Sequence, residues 1–114
     1  RMLLVGDPAS APAMVEAVNA ADATCRIVVV LQSSDDSPPL PGREHRLIRV
    51  PPEDPAALTD AVQEALGRAR PDWAWVALES AATKSIRRLV GSAGVPRRAI
   101  QAQAYWIRGR AMGT

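Results

Sequence analysis

Runs of consecutive apolar residues alternate along this chain with stretches in which apolar residues recur at helical spacing. The first run, "RMLLVG" (1–6), stops at Gly6, and "RIVVVLQ" (26–32) is a continuous β-branched run suited to a strand buried on both faces. "HRLIRV" (45–50) ends at Pro51 and Pro52, and "DWAWVALE" (72–79) runs up to Ser80. "AIQAQAYWI" (99–107) sets Ile100, Ala102, Ala104 and Trp106 on one face at period two. Each of these runs predicts a strand.

Helices are predicted between them. Ser10 caps the first, with Pro12 in its first turn and Met14, Val15 and Val18 on one face. The second is the clearest: Asp54 caps, Pro55 takes the first helical position, and Leu58, Ala61, Val62, Ala65 and Leu66 form an apolar stripe before Gly67 closes it. Ser80 caps the third, whose stripe is Ile86, Leu89 and Val90, with Gly91 and Gly94 ending it. The polar, proline-rich "SSDDSPPLPGRE" (33–44) reads as a surface loop. Strands separated mainly by helices predict an α/β fold, a three-layer Rossmann-like domain whose five-stranded parallel sheet has the order 3-2-1-4-5.

Length and composition restrict the class. The chain has 114 residues, 47% of them hydrophobic, which suits one domain over 1–114 with one core. No apolar run approaches the roughly 18 residues that span a membrane, and the N-terminus lacks a secretory pattern, so a cytoplasmic protein with no membrane partner is expected. Cys25 and His45 are the only residues of their types, which leaves neither an internal disulfide nor a metal cluster to expect.

The net charge of +2 hides an asymmetry. All 12 acidic residues lie at or before Glu79, whereas half of the 14 basic ones follow it. Lys84, Arg87 and Arg88 share a helix face, and Arg97, Arg98, Arg108 and Arg110 come after. An anionic partner and a merely solvated face both account for this. Nucleic acid is disfavoured because no nucleic-acid-binding motif accompanies the charge, and the tryptophans serve as core filling in a chain without phenylalanine.

Candidate chemistry gathers at the carboxyl ends of the strands, where open α/β sheets place ligands. The turn "GDPASAP" brings Gly6, Asp7 and Ser10 to the start of a helix, a natural anion site. Ser33 and Ser34 follow strand 2, where ribose contacts fall in dinucleotide folds, and Glu79 ends strand 4. Asp7 as a turn residue, Glu79 as a helix-start anion and Ser33 and Ser34 as exposed loop serines are the plainer readings. No serine sits in a nucleophile elbow.

Three strings carry a family resemblance: "GDPASAPA" in the first turn, "WVALES" with "SIRRLV" around the fourth strand's end, and "AYWIRG" after the fifth. In this order the chain resembles the C-terminal NAD(P)H-binding domain of siderophore-interacting proteins, flavin-dependent ferric-siderophore reductases related to ferredoxin–NADP reductases. The match keeps Gly6, Asp7, Pro12, Ala13, Trp75, Ala77, Glu79, Arg87, Arg88, Tyr105, Trp106 and Gly109. It departs at Ala9 (threonine in the family pattern), at Leu78 and Ala104 (glycines) and at Ile107 (arginine).

The resemblance implies NADPH or NADH as cofactor, with Gly6, Asp7, Ser10, Ser33 and Glu79 beside it. Ala9 and Leu78 imply weak binding, since one removes a hydroxyl and the other adds bulk where a backbone should approach the ligand. FAD is expected only in a flavin-binding domain, in the same or another chain, because no flavin barrel lies within this sequence, which starts at Arg1 rather than Met. The chain is then part of a reductase rather than a complete one. An anionic ferric siderophore is a candidate ligand for Lys84, Arg108 and Arg110. The alternative is a non-catalytic descendant that binds an anionic ligand or protein partner through its basic last third.

Overall fold

The computed structural model describes residues 1–34 and 45–109. The predicted proline-rich loop, apart from Ser33 and Ser34, lies outside the described residues, as does Arg110. The order of elements is β1 (Met2–Gly6), α1 (Ala11–Ala20), β2 (Ile27–Gln32), β3 (Arg46–Val50), α2 (Pro55–Arg68), β4 (Trp73–Ala77), α3 (Ser80–Ser92), a single 3-10 turn (Arg97–Ala99) and β5 (Ile100–Ala102). The five strands form one parallel sheet in the order β3-β2-β1-β4-β5.

Alternation along the strands divides the core in two. Leu4, Val29, Leu31, Trp75 and Ala77 face Met14 and Val18 of α1. Leu3, Val5, Val30, Val76 and Leu78 face Leu58, Ala61 and Val62 of α2 and Ile86 and Val90 of α3. Helices thus cover both faces, which is why β1, β2 and β4 are apolar almost throughout. Among the described residues no helix is long and apolar enough to cross a membrane.

Local chemistry sets the helix ends, with two departures from expectation. Asp54 caps α2 as predicted, its carboxylate accepting the Ala57 N–H at 3.0 Å, but the helix runs through Gly67 to Arg68. The cap of α3 is Glu79 rather than Ser80: its two carboxylate oxygens reach back to the N–H groups of Ala81 and Ala82 at 3.0 and 3.1 Å. Ser80 is already the first helical residue, and its N–H donates to Trp106 O at 2.8 Å. Gly91 lies inside α3, while Gly94, at φ +99°, makes the left-handed exit.

Strand 5 is much shorter than the period-two pattern predicts. Regular pairing with β4 stops at Ala102, and the chain then follows the end of β4 through Gln103 N–H to Val76 O, Tyr105 N–H to Leu78 O and a lone bridge between Trp106 and Glu79. The physical reason lies in β4, which ends at Ala77 and gives way to α3, so little strand remains to pair with.

Candidate functional site

The order β3-β2-β1-β4-β5 reverses at β1, and a crevice opens at the carboxyl edge of a doubly wound sheet where this happens. Here a cleft of about 300 Å³ is lined by Asp7, Pro8, Ala9, Gln32, Pro52, Glu53 and Trp106. It lies between the exit of β1, the ends of β2 and β3, and the tail beyond β5.

The turn from β1 into α1 forms one wall. Gly6 is required there: a Cβ at this position would stand 2.5 Å from both Met14 Sδ and Ser10 Oγ. Its glycine serves the packing of α1 on the strand. Asp7, only 5% exposed, turns its carboxylate back on the helix start. Its Oδ1 accepts the N–H of Ala9 at 3.0 Å and of Ser10 at 3.3 Å, and its Oδ2 accepts the indole N–H of Trp106 at 2.8 Å. Ser10 is fully buried at the N-cap position of α1 as predicted, but its hydroxyl donates to Ala77 O at 2.8 Å, tying the turn to the end of β4, and makes no capping bond to the helix. The protein's own carboxylate therefore holds N–H groups that a phosphate in this turn would use.

Glu53 forms the opposite rim. It follows β3 with φ 59°, a left-handed backbone uncommon for a non-glycine residue, and its Oε1 accepts from Arg108 Nη1 at 3.5 Å. Both side chains of this ion pair are largely exposed. Glu79 stands nearby at the bridge to Trp106. The N–H of Ala81 holds its carboxyl below the usual glutamate range, helped by the N–H of Ala82 and the Arg108 guanidinium against the opposing effect of burial.

Of the residues singled out in the sequence, Gly6, Asp7 and Ser10 form one connected turn, with Glu79 beside the tail that covers it. Ser33 is 2% exposed, its N–H donating to Val50 O, so the exposed-loop reading is wrong for it and right for Ser34. Lys84 is exposed on α3 without a carboxylate partner among the described residues, whereas Arg108 is engaged with Glu53. Leu78, expected to crowd a ligand, is 0% exposed and belongs to the core under α2 and α3. Alternation explains this: Ala74, Val76 and Leu78 share a face that the cleft does not reach.

The sequence did not single out Gln32, Glu53 or Trp106 as cleft residues. Trp75 is core filling, buried and edge-on to Tyr105 at 6.2 Å between ring centres, but Trp106 is half-buried at the cleft. Only the retained Tyr105–Trp106 pair of the third string could have drawn attention to it. Among the described residues no group of three His, Cys, Asp or Glu could hold a metal ion.

Comparison with known proteins returns one consistent neighbourhood. Residues 1–109 match the family model described as siderophore-interacting protein. The chain is 39% identical over 118 residues to the mycobactin import ATP-binding/permease protein IrtA of Mycobacterium tuberculosis, and 36% identical over 121 residues to that of Mycolicibacterium thermoresistibile. Each alignment covers 98% of this chain but 13% of the relative, so the chain spans a small part of those transporters. Among solved structures, the siderophore-interacting protein of Acinetobacter baumannii superposes with a TM-score of 0.79 at 17% identity, over 98% of this chain and 48% of that one. The protein SipS of Aeromonas hydrophila gives 0.76 at 21% identity, over 96% and 46%. At these identities the structures establish the shared fold, which occupies about half of each.

Proposed function

Since this chain belongs to the siderophore-interacting protein family, we propose that it is the nicotinamide-dinucleotide module of a ferric-siderophore reduction, working with a flavin-bearing domain. The observation that carries this reading is the carboxyl-edge cleft at the reversal of strand order, walled by the retained first turn and the retained Trp106. A reduced nicotinamide held there would supply a hydride for a flavin in the companion domain, the source of electrons for ferric iron.

The residues of the cleft suit some parts of such a cofactor better than others. Gln32 and Glu53 offer polar groups to sugar hydroxyls, and Trp106 offers aromatic surface to a ring. A diphosphate is poorly served in the β1–α1 turn, because Asp7 already occupies the N–H groups of Ala9 and Ser10 and adds like charge. Gly6, Asp7 and Ser10 therefore shape the site beside the cofactor, and the Ser33 and Glu79 backbones fix its edges. Arg108 at the rim and Lys84 near the start of α3 are the cations that meet a phosphate or an anionic siderophore.

Binding of either nucleotide is expected in the high micromolar range or weaker, roughly −5 kcal/mol or less favourable. Titration of the isotope-labelled chain with NADH and with NADPH, followed by amide and indole resonances, tests the reading. Shifts should concentrate at Ala9, Gln32, Glu53 and the Trp106 indole N–H. Shifts that fall elsewhere while those positions stay silent would overturn the assignment, and low-micromolar affinity would overturn the role given to Asp7.

A second reading keeps the fold without the chemistry: a non-catalytic relative whose basic last third binds an anionic partner. The occupation of the α1 amino end by Asp7 favours it. The same titration separates the two.

A further inference from the structure

The basic last third has a structural setting that the cleft does not use. From Ser80 to Gly109 the sequence contains no carboxylate, and Arg87, Arg88, Arg97 and Arg98 are all exposed with no ion pair among the described residues. Arg87 comes from α3 and Arg97 from the 3-10 turn, yet both line one groove of about 450 Å³, together with Gly91, Val95, Ile100 and Ala102. Val95 is buried, Ile100 and Ala102 are half-buried, and they give the groove an apolar floor between two guanidinium groups.

The groove runs beside the open edge of the sheet. Among the described residues β5 pairs with β4 on one side only. Gln103 N–H donates to Val76 O and Tyr105 N–H to Leu78 O, so by the alternation of a parallel ladder the N–H and C=O groups of Ala102 and Ala104 point away from β4. An outward row of backbone donors and acceptors is a template for another extended chain.

We propose that the β5 edge is a docking groove for an acidic, extended segment of a partner protein, which adds to the sheet as a sixth strand. Its backbone pairs with Ala102 and Ala104, an apolar side chain rests on Val95 and Ile100, and its carboxylates meet Arg87 and Arg97. Charge selects this occupant: a second copy docking edge to edge would bring the same arginines together, and like charges at close range repel. The groove offers no aromatic ring on which a nucleic-acid base could stack, since its described lining is Arg87, Gly91, Val95, Arg97, Ile100 and Ala102. The groove serves such a partner whether or not the cleft takes a nucleotide.

The test is titration of the labelled chain with a short peptide of alternating glutamate and valine, beside a lysine–valine peptide and an oligodeoxythymidylate. The acidic peptide should shift the amides of Ala102 and Ala104 and bind more weakly as salt rises. The double substitution Arg87→Glu, Arg97→Glu, at exposed positions, should lower that affinity about tenfold or more, while nucleotide-induced shifts in the cleft stay unchanged. Ala102→Pro, which removes an outward N–H and spares the ladder bond of Gln103, should weaken binding as well. Equal binding of the lysine peptide or the oligonucleotide, indifference to the arginine reversal, or concentration-dependent self-association of the chain through these amides would overturn the proposal.

Discussion

The indole N–H of Trp106 donates to the carboxylate of Asp7 at 2.8 Å, joining residues 99 positions apart in the chain. This bond holds the tail beyond β5 against the exit of β1 and completes the hydrogen bonding of a carboxylate that is almost wholly buried. Trp106→Phe keeps most of the ring but leaves Asp7 Oδ2 without that donor. The expected loss is about 1–3 kcal/mol, the usual penalty for an acceptor deprived of its partner. Urea denaturation of the two proteins measures it, and equal midpoints would show that the bond contributes nothing to the fold.

Leu78 is a core residue, so shortening it should damage stability and leave ligand binding untouched. Leu78→Ala should cost about 2–5 kcal/mol, the range for a buried leucine that leaves a cavity. Nucleotide affinity, measured where the variant is still folded, should stay within error of the parent. Tighter binding in the variant would restore the idea that this side chain obstructs the cleft.

Glu79 links stability to pH. Its folded-state carboxyl lies below the ordinary range, through the Ala81 and Ala82 N–H groups and Arg108. A depressed carboxylate stabilises the fold above the unfolded value of about 4.3, and the contribution is lost as pH falls through the folded value. Glu79→Gln should therefore destabilise near neutral pH by about 0.3–1 kcal/mol, the worth of an anion at a helix start. The difference between the two proteins should shrink in acid. Denaturation curves at both pH values decide it, and a difference that persists unchanged in acid would rule out the charge as its source.

The sheet was legible in the sequence because its signals are local. A continuous apolar run such as Ile27–Gln32 marks a strand covered on both faces, and Asp54 followed by Pro55 marks a helix start, whatever lies elsewhere in the chain. Parallel pairing with intervening helices then limits the topology. The details of the site were not local. Asp7 with Trp106 and Ser10 with Ala77 are pairs that only the finished sheet brings together. The burial of Leu78 follows from its alternation with Val76, whereas the glycine of the family pattern points to the ligand side instead. The early end of β5 was hidden because the period-two pattern continues beyond the last residue of β4 that can pair with it.

The buried hydroxyl of Ser10 has a mechanical consequence for this domain. Strands on either side of the reversal send their chains to opposite faces, so the crevice is also the seam between the two helical layers. Ser10 stitches that seam: it belongs to the start of α1, and the Ala77 carbonyl it holds lies just before the residues that begin α3. Pushing α1 outward therefore pulls on the leading end of α3 as well. The first turn, one wall of the crevice, is thereby anchored across the seam to the end of β4.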